Sequence, residues 1–366
     1  MSLQHGQHGQ HGQHGQGGGA AGGSGADELM AAALMRTRDA IVGTETVASG
    51  AFADSSLPPG ERLRRMEGEF RLAVLMSELL EDIAYRIEDY DTPRHTARAV
   101  TVLRRRAGGD AATAEYTPLA RIIRPEVEHF SQAAPLVAAY AELRPDRLAE
   151  ILVQKENLLP FVASILPIGP LRAPAVVEML ETGLAIVTPV VMRVKIALGC
   201  PRPTQFSDRI QPMIAEPAHP TLPSGHSTQL FTLATMLSRL MDPGSDVVSD
   251  SQLYRLACRI AINRTVAGLH FPADSAAGAV LGIQLGRYLM ARGADSGGTV
   301  GSARFDGTGF RNGNQPRDFH YSVLHEMVTD ADPSTSFPAD ASAVRPAPFW
   351  QTLCRRAKEE WNSRWS

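Results

Sequence analysis

"NRTVAGLHFPADSAAGAVLGIQLGRYLMAR", residues 263–292, sets an arginine, a histidine and an aspartate at fixed spacing and then runs into a glycine-studded apolar stretch. Gly278, Gly282 and Gly286 fall four apart, so on a helix they share one face and leave a smooth stripe for a closely crossing neighbour. That stripe is packing, not chemistry. It predicts a core of helix against helix, and the rest of the chain is read outward from it.

Residues 224–241 and 250–268 carry helical periodicity, as does 272–292 itself. Upstream, Leu180, Leu184, Val187, Val191, Val194 and Leu198 keep the same spacing, with Pro189 a kink point. Residues 26–160 show amphipathic patterns such as "GERLRRMEGEFRLAVLMSELLEDIAYRIE" and "PLVAAYAELRPDRLAEILVQ", separated by the turn signals "LPPGE" and "RAGGD". No reactive constellation is visible there, and His95 and His129 read as ordinary surface or core histidines. Strand-like alternation is scarce, so the expected fold class is all-α: a helical bundle core with an additional N-terminal helical layer. The expected divisions are a histidine-, glycine- and glutamine-rich leader or tag at 1–25, a helical layer at 26–170, the catalytic bundle at 171–292, and a loop-rich tail with a closing helix at 293–366.

The bulk numbers narrow the function. With 366 residues, 43% of them hydrophobic, the chain has ample material for a core. A net charge of −3 and no dense basic stripe argue against a nucleic-acid binder. Three scattered cysteines suggest no dependence on disulfides. No basic head followed by an apolar run opens the chain, and the apolar run "LAIVTPVVMRVKIALG" (184–199) carries Arg193 and Lys195. A soluble, cytoplasmic protein with no membrane span is therefore expected, its partners being small molecules, with a homo-oligomer also allowed.

Three blocks carry chemistry: Lys195 with Arg202 and Pro203 in "KIALGCPRP", the corner Pro223-Ser224-Gly225-His226, and Arg264, His270 and Asp274 in the opening stretch. Two arginines and a lysine in one site repel one another unless an anion sits among them, and a guanidinium fork grips two oxygens of a tetrahedral oxyanion at once. Ser224 offers a hydroxyl and Gly225 a bare N–H at a helix start, where the dipole favours negative charge. Each histidine is a candidate nucleophile, ligand or acid/base. Asp274 either orients His270 or caps the helix. Cys200, inside the first block, either tunes the pocket or packs.

The ordered set K-x6-R-P, P-S-G-H and R-x5-H-x3-D resembles the signature of the superfamily that joins vanadium-dependent haloperoxidases, type 2 phosphatidic acid phosphatases and bacterial acid phosphatases, over roughly residues 180–292. The resemblance implies that Lys195, Arg202, Ser224, Gly225 and Arg264 bind the oxygens of vanadate or phosphate. It implies that His270 is the vanadium ligand or phosphate-accepting nucleophile, that His226 is the acid/base, and that Asp274 orients His270. Where the family has Ser-Arg, this chain has Asn263-Arg264, which leaves Asn263's role open.

Two branches follow. A haloperoxidase would hold vanadate and oxidise bromide or iodide with hydrogen peroxide. A phosphatase would need no cofactor and would hydrolyse a phosphate ester through a phosphohistidine. The first is placed ahead on the missing signal, on the extra helical half, and on His219, seven residues before His226 and similar to a bromoperoxidase pattern; His219 is otherwise a loop histidine. The short Pro203–Pro223 interval and "HFPAD" favour the second. A protein that binds the anion without turnover ranks last.

Overall fold

The computed structural model describes residues 24–41, 57–91, 96–108 and 114–364. The leader's histidines and His95 lie outside the described residues. Helix α1 (Ser24–Ile41) belongs to an N-terminal unit ending at Pro58, and every other element belongs to a second unit from Pro59 onward.

The fold is not all-α. A five-stranded mixed sheet accompanies the helices. Strands β1 (Ile83–Asp91), β2 (Thr96–Arg105) and β3 (Tyr116–Ile123) pair antiparallel in sequence order. The tail then returns to extend them. With β4 (Thr299–Val300) preceding it, β5 (Ala303–Asp306) runs parallel to β3, Ala120 opposite Ala303. Strands β6 (Arg311–Asn312) and β7 (Gln315–Pro316) form a separate ladder, β8 (Thr335–Ser336) closes the main sheet against β5, and β9 (Ser342–Ala343) pairs with β4. The expected helical layer is thus interrupted by three strands, and the expected loop contains strands of the same sheet.

The physical reason lies in burial. Strand β2 is buried from Ala99 to Arg104 without a break, so both of its faces are covered and the period-two signature of a half-exposed strand is missing. Buried Arg104 fastens the tail to it, its Nη2 donating to the Val300 carbonyl at 2.7 Å and to Ser342 Oγ at 2.7 Å. The helical run "GERLRRMEGEFRLAVLMSELLEDIAYRIE" breaks after Leu80, and its last residues begin β1.

The helices of the second unit are α2 (Pro59–Arg64), α3 (Gly68–Leu80), α4 (Val127–Ala139), α5 (Arg144–Glu156), α6 (Leu159–Ala163), α7 (Pro174–Leu198), α8 (Gly225–Met241), α9 (Gln252–Val266), α10 (Pro272–Arg292), α11 (Tyr321–Val328) and α12 (Pro348–Asn362). Among the described residues, the α7 segment is long and apolar enough to cross a membrane by length and composition; 61% of its most apolar window is buried inside this fold. It packs on α8, α12 and β2 and continues through Pro189. Gly199, in the left-handed region at φ 57°, ends it directly after the turn bearing Lys195.

Helices α8 and α10 form the tightest pair, and the glycine stripe is their seam. A Cβ at Gly278 would stand 2.7 Å from Ser227 Cβ, one at Gly282 2.5 Å from the Thr228 carbonyl, and one at Gly286 2.6 Å from Thr235 Cβ. The contacts advance in the same direction on both helices, so the two run parallel. Gly282→Ala is expected to destabilise the protein by about 1–3 kcal/mol through overpacking, read as a lower chaotrope midpoint at unchanged slope; full stability would mean the helices are free to separate.

Candidate active site

Because α8 and α10 are parallel, their N-termini meet. The Ser224 N–H donates to the Asp274 carbonyl at 2.9 Å, joining the two helix starts directly. Ser224 is the N-cap of α8, its Oγ accepting from the Ser227 N–H at 3.4 Å. Gly225 has open space where a side chain would be. Two positive dipole ends therefore face one spot.

Asp274, in the first turn of α10, is buried and both orients and caps. Its Oδ2 accepts from the Phe271 N–H at 2.8 Å, lies 3.0 Å from His270 Nδ1, and accepts the Thr221 hydroxyl at 2.5 Å. That hydroxyl has one proton. With it given to Asp274, Thr221 Oγ1, 2.9 Å from His270 Nδ1, can only accept there. Nδ1 therefore carries the imidazole proton and Nε2 the lone pair. Arg202 agrees independently: its Nη1 is 3.4 Å from Nε2, and a guanidinium offers no acceptor. Burial, then the charges of Arg202 and Lys195, hold His270 well below the usual imidazole range, so the ring is neutral. Burial raises Asp274 to about 6, opposed by Thr221, the Phe271 N–H, Lys195 and Arg202.

The three cations are 1% (Lys195), 3% (Arg202) and 1% (Arg264) exposed, and none has a carboxylate within ion-pair distance among the described residues. Lys195 Nζ donates to the Pro220 and Thr221 carbonyls at 2.9 and 2.7 Å. Arg202 donates to the His219 carbonyl at 3.1 and 3.0 Å and to the Leu269 carbonyl at 2.9 Å. Arg264 donates to Gln154 Oε1 at 3.1 Å and the Ile151 carbonyl at 3.4 Å. Neutral acceptors orient these charges without neutralising them.

His226 lies half-buried on the first turn of α8, with Nε2 3.1 Å from the Gln154 carbonyl. A carbonyl only accepts, so Nε2 bears the proton and Nδ1 is bare. Burial and nearby Arg264 lower it to about 3. Lys195 stands close enough to depress both His226 and His270, and His226 close enough to depress His270, which links the two histidines through one pocket. His219 is there as well, its Nδ1 3.1 Å from Arg202 Nη2, lowered to about 4 by burial and Lys195. Asn263 donates to Glu150 Oε2 and Gln154 Oε1, both at 3.0 Å. The structure thus brings together the residues of all three blocks. The buried Cys200 thiol, raised to about 12 by burial, packs, while its carbonyl accepts the Thr221 N–H.

Residues 177–295 match the model of the PAP2 superfamily. That segment is similar to PAP2 superfamily domains. The superfamily is mostly enzymatic and includes phosphatases and haloperoxidases. A comparison with curated proteins finds no match.

Sequence reasoning missed Thr221 and Gln154. Thr221 stands inside the quoted "HPTLPSGH", but a threonine there has no distinguishing spacing. Gln154 lies three residues after Ile151 on the buried face of α5, where a polar residue on an apolar stripe was the available signal.

The buried imidazoles also set a pH response. His219, His226, His270 and His129, the last lowered to about 4 by burial, all bind protons less readily folded than unfolded. Their stabilisation is complete above about pH 6.5 and is lost as pH falls below it, while the raised Asp274 works the other way below about 6. Four groups outweigh one, so Tm is expected to fall from pH 7 to 5. Saturating orthophosphate should flatten that fall by offsetting the charge on the protonated rings. A Tm independent of pH across this window would contradict the buried, neutral assignment.

Proposed function

We propose that the PAP2-like domain of this chain is a phosphomonoesterase that works through a phosphohistidine at His270. One observation carries the reading: Arg202 and Lys195, buried and without carboxylate partners among the described residues, act on an imidazole whose bare Nε2 faces Arg202, while buried Arg264 acts on the neighbouring His226. Asp274, the carboxylate hydrogen-bonded to His270, faces three basic side chains, a surplus of two positive charges when all are protonated. Burial and then Arg202 push Lys195 well below the usual ammonium range, and a monoester dianion would both restore and balance that charge. Burying such charges uncompensated costs several kcal/mol each, so the site's electrostatics favour that guest.

The reaction follows from the tautomers. Arg202, Lys195, Arg264 and the Gly225 N–H hold the phosphoryl oxygens and draw negative charge from phosphorus. His270 Nε2 attacks, the N–P bond forms and the bond to the leaving oxygen breaks. The dianion's entry raises the proton affinity of His226, so that its bare Nδ1 takes up a proton from solvent and then passes it to the departing alkoxide. In the second half, Nδ1 takes a proton from the attacking water, the N–P bond breaks and phosphate leaves. Asp274 and Thr221 hold the Nδ1 proton of His270 throughout.

The haloperoxidase reading loses one of its supports, because the N-terminal half contains three strands instead of a second helical bundle. It keeps His219, whose ring lies against Arg202 beside His270. The donor set suits vanadate as well as phosphate, with His270 Nε2 as the bare ligand atom and the three cations on the oxygens. Bound vanadate would supply activation of hydrogen peroxide for halide oxidation.

The test is a paired assay on one preparation. With a phosphomonoester such as p-nitrophenyl phosphate, turnover and acid-labile label trapped on His270 are expected, and His270→Ala should abolish both while keeping the wild-type circular dichroism. Vanadate-dependent bromide oxidation without monoester hydrolysis would reverse the order of the two readings. Full hydrolysis by His270→Ala would remove the nucleophile assignment.

A further inference from the structure

Arg264 is oriented by a helix that lies outside the PAP2 match. Gln154, in the last turn of α5, is fully buried, and its Oε1 accepts both from Arg264 Nη2 at 3.1 Å and from Asn263 Nδ2 at 3.0 Å. Its backbone carbonyl is the partner of His226 Nε2. One residue therefore touches a cation of the anion grip and the candidate acid/base.

A carboxylate stands close by. Glu150, one turn earlier on α5, receives Arg259 Nε at 2.9 Å and Asn263 Nδ2 at 3.0 Å, and the Arg259 bond holds its carboxyl below the usual range. Asn263 thus spans Glu150 on one side and Gln154 on the other, while its Oδ1 takes Arg147 Nη1 at 3.3 Å. A direct Glu150–Arg264 ion pair would neutralise the charge that the anion needs. Two neutral amides stand between them instead.

We propose that Gln154, with Asn263, is a positioning residue: the amide pair orients Arg264 toward a bound oxyanion while keeping the Glu150 carboxylate off it. The proposal rests on the oxyanion-binding reading of the site, and not on whether the bound anion is a substrate's phosphate or vanadate. Gln154 Nε2 is itself buried without a partner, as is Arg264 Nε.

The experiment measures dissociation constants of orthophosphate and orthovanadate by calorimetry, for the wild type, Gln154→Leu and Gln154→Glu, with KM and kcat alongside. Gln154→Leu removes the acceptor and is expected to weaken both anions about tenfold, the loss appearing in KM with kcat within about threefold. Gln154→Glu keeps the shape but sets a carboxylate on Arg264, and should weaken them further, by about a hundredfold. A purely structural role would lower Tm in both variants without that order and without the KM–kcat split. Should Gln154→Leu fail to fold, the isosteric Gln154→Glu carries the test: wild-type affinity in that variant overturns the proposal. Wild-type protein that binds orthophosphate yet hydrolyses no monoester would defeat the proposed function and leave this inference standing. Wild-type protein that binds neither anion would defeat both.

Discussion

The approach of α8 to α10 is the constraint from which the rest follows. Glycines at 278, 282 and 286 let the helices touch backbone to side chain, so that Thr228 and Thr232 can return their hydroxyls to carbonyls within or across the seam. Because the helices run parallel, contact along their length forces contact at their starts, where the Ser224 N–H meets the Asp274 carbonyl. Two blocks separated by more than forty residues of sequence, P-S-G-H and H-x3-D, become neighbours for this reason. Parallel helices with abutting N-termini repel through their dipoles, and an anion at the junction turns that repulsion into attraction.

Around this junction the chain gathers cations and keeps them unneutralised. Lys195 comes from the last turn of α7, Arg202 from the loop after it, and Arg264 from the end of α9. Each is held by carbonyl or amide oxygens. Such acceptors fix direction while leaving net charge, whereas a carboxylate would spend it. The one carboxylate in the pocket, Asp274, is already engaged by Thr221, Phe271 and His270 and serves the imidazole instead of the cations. Burial first, and the positive field of the basic side chains second, keep the histidines neutral.

Much of this was legible from residue types and spacing. The arginines, histidines and the P-S-G-H corner pointed to one shared pocket, and these side chains do converge; the glycine row announced the seam. The sheet was not legible. Residues 99–104 (Ala-Val-Thr-Val-Leu-Arg) are buried on both faces, so they present no period-two alternation, and the β-branched run Val100-Thr101-Val102 was the one local signal of a strand there. Strands β5 and β8 are four and two residues long and are stabilised by the longer strands they join, a tertiary effect that no local window contains. Thr221 and Gln154 were hidden for a different reason. Their roles are hydrogen-bond closures, set by where a hydroxyl proton or an amide oxygen ends up after folding.

Those closures also separate the two histidines under the proposed reaction. Both are neutral before the anion enters, and both feel its charge. At His270 the bare nitrogen is Nε2, and it faces the Arg202 guanidinium, which disfavours a second proton there and preserves the lone pair for attack. At His226 the bare nitrogen is Nδ1, with Nε2–H tied to the Gln154 carbonyl, and the charge that suppresses its protonation comes chiefly from Arg264. Arg264 is the cation that a bound dianion would compensate on that side, so anion entry relieves His226 more than His270. Nucleophile and acid then need no difference in intrinsic basicity. They differ in which nitrogen the fold leaves bare and in which cation that nitrogen must face.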